Sequence, residues 1–446
     1  MKYKLTILAT LLLGVFAQAQ EQLSLKDAIE YALANKADAV KAKLDIQNSE
    51  HKIAEVRAMA LPQITVSGDL TYNAILQKSA LPGDILGQPG TTILVPFGQP
   101  WQSTASANLD QQIFNQAVFT GLKAARTTRE FYQINNTLTE EQVIEKVANA
   151  YYQVYETKLQ LKTIEIKYES TSKTADVIKG LYENGLAKKI DLDRMLVSKN
   201  NLEANITQTK NALQLQENSL KFMIGMGIQT PIVMPDNTFE ISAHVFVDEN
   251  TTIDNRTEIL VLEKQNELLE LDKKSKIAEY YPTLSLRGSF GYLGLGSDFP
   301  WFSKPADGTY WSSFSAIGLN LSIPVFNGFS TRSKVRQADV AIEKAQVELE
   351  ETRLALSLDL ENAKTQINNS LLTIDSQKTN VDLAKEVLEN IQNNYNNGLA
   401  TLTDLLDAET AYADAQNNYT DALLKYKLAE IQLIKSKGEL KSLINN

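Results

Sequence analysis

The stretch QITVSGDLTYNA, Gln63 to Ala74, alternates residue by residue. Ile64, Val66, Gly68, Leu70, Tyr72 and Ala74 are apolar or small, whereas Gln63, Thr65, Ser67, Asp69, Thr71 and Asn73 are polar. Successive side chains of a strand point to opposite faces, so this stretch reads as a strand with one apolar and one polar side. The pattern recurs further on: Leu284, Leu286, Gly288, Phe290 and Tyr292 alternate with Ser285, Arg287, Ser289 and Gly291. A return strand follows, Ile317, Leu319, Leu321, Ile323 and Val325 alternating with Ala316, Gly318, Asn320 and Ser322. The first return strand, Thr104 to Ile113, is weaker but keeps Ala105, Ala107, Leu109 and Ile113 in phase. Alternation by itself fits a half-buried sheet of a soluble domain as well as a membrane barrel strand, apolar outward and polar inward. The choice between them rests on the rest of the chain.

The N-terminus favours the membrane. Lys2 and Lys4 precede an apolar stretch, Leu5 to Phe16, and Ala17-Gln18-Ala19 is a small-x-small cleavage site, so 1–19 is expected to be a secretory signal peptide. The run is too short to span hydrocarbon comfortably, and no other segment is apolar enough for a transmembrane helix. An exported chain then either stays soluble or meets the membrane through strands. Loss of the two lysines takes the formal charge of the 446 residues from -10 to -12, which argues against a nucleic-acid partner. The absence of Cys excludes disulfides, thiolate metal sites and cysteine catalysis. His51 and His244 leave little for a histidine metal centre or triad, and neither a nucleophile motif nor a phosphate loop is present. No enzymatic activity, metal or cofactor is expected.

The chain is internally duplicated. Asn35-Lys36-Ala37-Asp38 aligns with Asn255-Arg256-Thr257-Glu258, Pro62 with Pro282, Gly68 with Gly288 and Tyr72 with Tyr292, all at an offset of 220. Phe114-Asn115 meets Phe326-Asn327 at an offset of 212. Tyr182, Gly185-Leu186-Ala187 and Asp191 meet Tyr395, Gly398-Leu399-Ala400 and Asp404 at 213. Each copy reads helix, strand, loop, strand, long helix, tight turn, helix. The expected layout is a first repeat over 20–226 with a β-hairpin at about 62–114 and a tip turn at about 182–191. An inter-repeat segment over 227–252 holds Pro231 and Pro235. A second repeat covers 253–446, with a hairpin at about 282–326 and a tip turn at about 395–404. The hairpin loop Leu76 to Pro100 carries Pro82, Pro89, Pro96 and Pro100 and is expected to be irregular.

The long helices follow a coiled-coil period. From Val335 a seam runs through Ala338, Ile342, Ala345, Leu349, Thr352, Leu356, Leu360, Ala363, Ile367, Leu371, Ile374, Gln377, Val381, Ala384, Leu388 and Ile391 to Tyr395. Its steps average about 3.5 residues, the heptad period, without Pro or Gly, over a helix of roughly 90 Å. Its counterpart, from about Gln116 to Leu181, also lacks Pro. Val347, Leu354, Leu358, Leu372 and Leu383 form apolar positions off the seam, so the helix touches more than one neighbour. Both a long soluble coiled coil and a closed ring of helices around a wet interior have this periodicity.

The strands supply a further constraint. Four strands cannot close a barrel, since even small barrels need about eight, and an open sheet in lipid leaves unsatisfied edges. Transmembrane strands therefore require several copies of the chain. Tyr72, Trp101, Tyr292 and Trp311 fall near strand ends, where an aromatic girdle lies.

This layout resembles the TolC-like outer-membrane efflux and secretion channels over nearly the whole mature chain. The resemblance is carried by Leu23-Ser24-Leu25-Lys26-Asp27-Ala28-Ile29, Asn255-Arg256, Tyr281-Pro282, and Tyr395-Asn396-Asn397-Gly398-Leu399 through Asp404-Leu405-Leu406-Asp407-Ala408. Ser24 with Asp27 also reads as a helix capping box. The resemblance implies a mixed α and membrane-β fold, in which a homotrimer builds a twelve-stranded barrel in outer-membrane lipid of a Gram-negative bacterium. A long α-helical coiled-coil tunnel continues the barrel into the periplasm. It implies a passive conduit docked to a periplasmic adaptor and an inner-membrane pump, serving tripartite efflux or type I secretion. It places Asp404 and Asp407 on a pore constriction ring, Asp191 on the first-copy tip, and Tyr395 on a residue that holds the closed state. Gly185, Gly398, Leu186 and Leu399 fall at the tip turns that dock the adaptor. The family's gate Arg is Ala400 here, leaving Lys188 and Lys189 as candidate substitutes.

The residues support a plainer reading beside this one. Asp191 and Asp404 are expected in the first turn of a helix, where a carboxylate gains roughly 0.3–1 kcal/mol from the dipole. Asp407, one turn further in, has less reason to be there as a cap. Gly185 and Gly398 follow Asn and end helices in a left-handed residue. Two other functions share export and coiled coil. A periplasmic adaptor would carry one hairpin flanked by β-rich domains, and a structural fibre would lack the strand alternation.

Overall fold

The computed structural model describes residues 22–87, 89–235, 252–302 and 308–445. The signal peptide at 1–19, His244 and most of the 227–252 segment lie outside the described residues. Two compact units emerge. One takes residues up to Ile46, Tyr132–Glu263 and Val347 onward; the other takes Gln47–Phe131 and Lys264–Gln346. Each unit draws on both halves of the sequence.

In chain order the elements are α1 (Leu25–Asn35), α2 (Ala37–Ala58), β1 (Gln63–Tyr72), β2 (Lys78–Pro82), β3 (Thr92–Pro96), β4 (Trp101–Phe114), α3 (Gln116–Glu183) and α4 (Lys189–Ile224). There follow α5 (Thr257–Ala278), β5 (Thr283–Gly296), β6 (Thr309–Ser322), α6 (Ser330–Asn396), α7 (Leu402–Ser436) and α8 (Ser442–Asn445). Matching elements agree in length: α2 and α5 have 22 residues each, α3 and α6 have 68 and 67, and α4 and α7 have 36 and 35.

The strand-bearing unit holds a four-stranded antiparallel sheet in the order β1-β4-β5-β6. The hairpins of the two halves meet where β4 pairs with β5, Ala105 opposite Tyr292 and Leu109 opposite Gly288. Register places Ile64, Leu109, Gly288 and Ile317 in one row, and Val66, Ala107 and Phe290 in the next. This is the apolar face, and it is uncovered: Val66 is 81% and Ile317 79% exposed. The opposite face carries Gln63, Thr65, Asn108, Asp110, Arg287 and Ser289. There Arg287 Nε donates to Asp110 Oδ2 at 3.2 Å. All ten residues of β1 and thirteen of the fourteen of β6 are exposed, and among the described residues neither edge has a further partner strand.

Three expectations need correction. The Leu76–Pro100 loop contains a regular two-stranded ribbon, β2 with β3, Lys78 opposite Pro96 and Pro82 opposite Thr92. Pro82 and Pro96 stand at strand ends, where a missing N–H removes no interior ladder bond. The last strand ends at Ser322 rather than Val325, because Pro324 cannot continue a ladder. Tyr292 lies four residues inside β5, which runs on to Gly296, whereas Tyr72 ends β1, Trp101 begins β4 and Trp311 is third in β6.

In the helical unit, α1 starts with the expected capping box: Asp27 N–H donates to Ser24 Oγ at 3.2 Å and Ser24 N–H to Asp27 Oδ2 at 3.1 Å. Its apolar face, Ala28, Ile29 and Ala32, packs with Ile144, Val147 and Tyr151 of α3 and Leu220 and Ile224 of α4. The seam of α6 buries Leu360, Ala363, Ile367 and Ile374 against Ala422, Leu423, Tyr426, Ala429 and Leu433 of α7. Seam residues from Val335 to Tyr395 are buried or half-buried, with Leu371 as the exposed member. The off-seam stripe of Val347, Leu354, Leu358, Leu372 and Leu383 is exposed throughout.

Arg256, the family-like arginine of the second half, is buried. Its Nε and Nη2 donate to Glu258 at 3.1 and 2.6 Å, and its Nη1 donates to the Ser436 carbonyl at the end of α7. A cation at a helix C-terminus satisfies orphan carbonyls and complements the dipole.

Candidate functional site

The two helical hairpins end in turns built the same way. After α3, Gly185 N–H donates to Tyr182 O at 2.9 Å and Leu186 N–H to Leu181 O at 2.8 Å. After α6, Gly398 N–H donates to Tyr395 O at 3.0 Å and Leu399 N–H to Asn394 O at 2.8 Å. This pair of bonds is the Schellman closure, which needs a left-handed residue; Gly185 has φ 72° and Gly398 φ 74°. Asn184 and Asn397 add matching side-chain bonds to Gly180 O and Asn393 O. Leu186 and Leu399 are 75% and 78% exposed, so the turns present apolar side chains outward.

Asp191 and Asp404 occupy equivalent positions in the first turn of α4 and α7, but their surroundings differ. Asp404 closes a capping box: Thr401 N–H donates to its Oδ2 at 2.8 Å, Thr401 Oγ1 does so at 2.6 Å, and Asp404 N–H donates back to Thr401 Oγ1 at 3.2 Å. Hydrogen bonds from the Thr401 hydroxyl, then its backbone N–H, hold the Asp404 carboxyl below its ordinary range. In the first tip Lys188 takes the N-cap place and makes no side-chain cap bond. Asp191 instead lies near Tyr395, whose phenol is pushed up by burial and secondarily by the Asp191 charge. Tyr395 packs with Ala187, Leu192 and Leu406 around a core of Ala175, Ile178, Met195 and Leu402. Tyr395 of the second hairpin and Leu192, the residue after Asp191 in the first, share this cluster. Asp404 and Asp407 are both exposed on α7, one turn apart.

Two side chains that the sequence reading passed over tie α7 to the first hairpin. Arg194 Nη1 of α4 donates to Thr403 Oγ1 at 3.0 Å. Glu409 is buried and accepts from Ser170 Oγ at 2.9 Å and Thr171 Oγ1 at 3.4 Å, while Lys167 Nζ donates to Thr410 Oγ1 at 3.1 Å. Lys188 and Lys189, the substitutes considered for the missing arginine, form no ion pair among the described residues. The available signal was Glu409 itself: it falls on the buried spacing Leu402, Leu405, Glu409, Ala413, a charge where the period calls for an apolar residue.

Among the described residues, no His, Cys, Asp and Glu cluster is placed to hold a metal ion. No described helix is long and apolar enough to cross a membrane.

An open sheet with an uncovered apolar face, joined in one chain to heptad-repeat helical hairpins, defines a subunit of an outer-membrane channel. The family described as outer membrane efflux protein matches residues 28–226 and 250–439, and the chain belongs to it. The outer membrane protein TolC of Vibrio cholerae is 22% identical over 443 residues, covering 99% of this chain and 96% of that protein. TolC of Escherichia coli is also 22% identical, covering 99% of this chain and 87% of that protein. The crystal structure of the outer membrane protein VceC from Vibrio cholerae is 18% identical and superposes with a TM-score of 0.72, covering 94% of this chain and 97% of that one. The protein is therefore an outer-membrane efflux channel subunit with a mixed α and membrane-β fold, located in the outer membrane with a large periplasmic portion.

Proposed function

We propose that three copies of the chain assemble into a passive conduit from periplasm to exterior, gated at the helical tips. The copies at 20–226 and 253–446 act in it as two structural repeats. The observation that carries this reading is the pair of free sheet edges, β1 and β6, beside an uncovered apolar face. In hydrocarbon every backbone polar group needs a partner, so the sheet must close. One chain offers four strands, too few, and three offer twelve, within the range of natural barrels. The second apolar stripe of α6, uncovered in a single chain, gives the helices a surface for a neighbouring copy.

In this assembly Asp404 and Asp407 repeat around the axis and form a carboxylate ring that attracts cations. Asp191 and Tyr395 hold the closed tip, and Gly185, Leu186, Gly398 and Leu399 form the surface that docks a periplasmic adaptor, itself bound to an inner-membrane pump. Tripartite efflux and type I secretion both fit this arrangement, and the conduit performs no chemistry of its own. The experiment is mass determination of the detergent-purified protein together with planar-bilayer recording. Three chain masses and discrete conductance steps are expected; a monomer without conductance refutes the assembly. Crosslinked pull-down from intact cells tests the adaptor and pump.

A further inference from the structure

All three tryptophans of the chain, Trp101, Trp301 and Trp311, gather at one end of the sheet on its apolar face. Register puts Leu70, Ser103, Gly294 and Trp311 in one row, and Tyr72, Trp101, Gly296 and Thr309 in the last. The segment that leaves β5 folds back over these rows. Trp301 Nε1 donates to Ser103 Oγ at 2.9 Å, and Trp311 Nε1 donates to Pro300 O at 3.2 Å. Phe299 meets Trp101 edge-on at 5.3 Å between centroids, Trp301 at 5.7 Å and Phe302 in a stack at 5.8 Å. Gly294 makes room for this, since a Cβ there would come within 2.8 Å of the Trp311 ring.

We infer that the segment Phe299–Phe302 is a lipid anchor, seated at the headgroup and acyl-chain boundary of the bilayer leaflet at the loop end of the sheet. The inference goes beyond the channel reading but rests on the sheet lying in the membrane. Three features carry it. First, a 14-residue strand rising ~3.3 Å per residue and tilted by about 45° covers roughly 30 Å along the membrane normal. The apolar band of such barrels is about 25 Å tall, so the final rows fall at the interface, where indole and phenol rings are favoured. Second, the outward surface of the segment is apolar: Trp301 is 59% and Phe302 87% exposed. Third, the indole N–H groups of Trp301 and Trp311 both find acceptors within the protein, so their rings can leave water without stranding a donor. A loop reaching into water to meet a soluble partner has no need to turn both donors inward. The surface is also continuous with the lipid-facing side of the sheet, which identifies lipid as its occupant.

The test uses the full-length channel reconstituted in phospholipid vesicles, with Trp101→Phe and Trp311→Phe leaving Trp301 as the sole tryptophan, excited selectively over the tyrosines. The quenchers are lipids brominated near the headgroup end of the acyl chain, lipids brominated near the chain terminus, and acrylamide in the aqueous phase. A control carries Phe290→Trp in a background with Trp101, Trp301 and Trp311 all changed to Phe, reporting the middle of the apolar face. Trp301 should lose about half its emission with shallow bromine and at least twofold less with deep bromine, and acrylamide should quench it several-fold less than free tryptophan. Full acrylamide quenching with no response to brominated lipid, while the control responds, places the segment in water and overturns the anchor. A silent control together with silent Trp301 overturns the membrane placement of the sheet, and the anchor with it.

Discussion

Ser170 on α3 donates to the Glu409 carboxylate on α7 at 2.9 Å, and Thr171 beside it donates at 3.4 Å, with Glu409 only 6% exposed. A buried carboxylate served by two hydroxyls fixes the register of α7 against α3, because each group loses its partner if either helix slides. Glu409→Ala leaves two hydroxyls facing an apolar void and should cost about 1–3 kcal/mol. Glu409→Gln keeps an acceptor and should recover most of that. Hydrogen exchange over 405–413 in the detergent-solubilised protein checks it: Ala should exchange faster than Gln, and equal rates would show that the contact carries no stability.

The capping role of Asp404 and its proposed role in a pore ring separate experimentally. Thr401→Ala removes the capping partner and keeps the charge; it should cost about 1 kcal/mol of α7 stability and leave block by multivalent cations unchanged. Asp404→Asn with Asp407→Asn removes the charges and should weaken that block while the protein still assembles. Recording both variants in planar bilayers decides the matter, since cation block that survives the double change would eliminate the ring.

The same contacts set an acid limit. The Thr401 bonds depress the Asp404 carboxyl when folded, so their contribution is full above the ordinary carboxylate value and fades as pH falls through the depressed one. The cap at the start of α7 should therefore persist through the range where an unbound aspartate takes up its proton, and fray only below it. In Thr401→Ala the titration of Asp404 should move up toward the ordinary value, observable by carboxyl chemical shifts of a tip peptide hairpin or by the pH at which cation block disappears.

Much of this fold was legible because its periods are simple. The alternation at Gln63–Tyr72 became β1, and the heptad seam from Val335 to Tyr395 became α6 with few exceptions. The ribbon of β2 and β3 was hidden because four prolines suggested irregular chain, and only pairing shows that Pro82 and Pro96 sit where no ladder bond is needed. Arg194 was hidden for another reason: a charged residue on a helix usually faces water, and nothing local marks one turned toward a hydroxyl on another helix, whereas Glu409 was marked by its place on the buried spacing of α7. Asp404 illustrates the converse, since it was expected in the first turn of a helix and the structure places it there.

Gly398 has φ 74°, and both carbonyls of its turn depend on that geometry. A β-branched side chain in the left-handed region costs at least 1–2 kcal/mol. Gly398→Val should distort the tip turn, displace Leu399 and reduce export while the amount of protein in the outer membrane stays unchanged. A transport assay against quantified membrane protein checks this, and normal export at normal level would contradict a functional tip.

Arg256 is 3% exposed and joins two places far apart in sequence, holding Glu258 with two bonds and the Ser436 carbonyl with a third. Arg256→Ala leaves Glu258 without its counter-ion and the end of α7 without its cap, and should cost on the order of 3 kcal/mol. Arg256→Lys keeps the charge but cannot reproduce a planar fork reaching carboxylate and carbonyl together, so it should recover only part of that loss. Denaturant unfolding followed by far-ultraviolet circular dichroism distinguishes the cases. The order wild type, Lys, Ala is expected in the midpoints, and a Lys variant as stable as wild type would show that charge alone, rather than the fork, holds the end of α7.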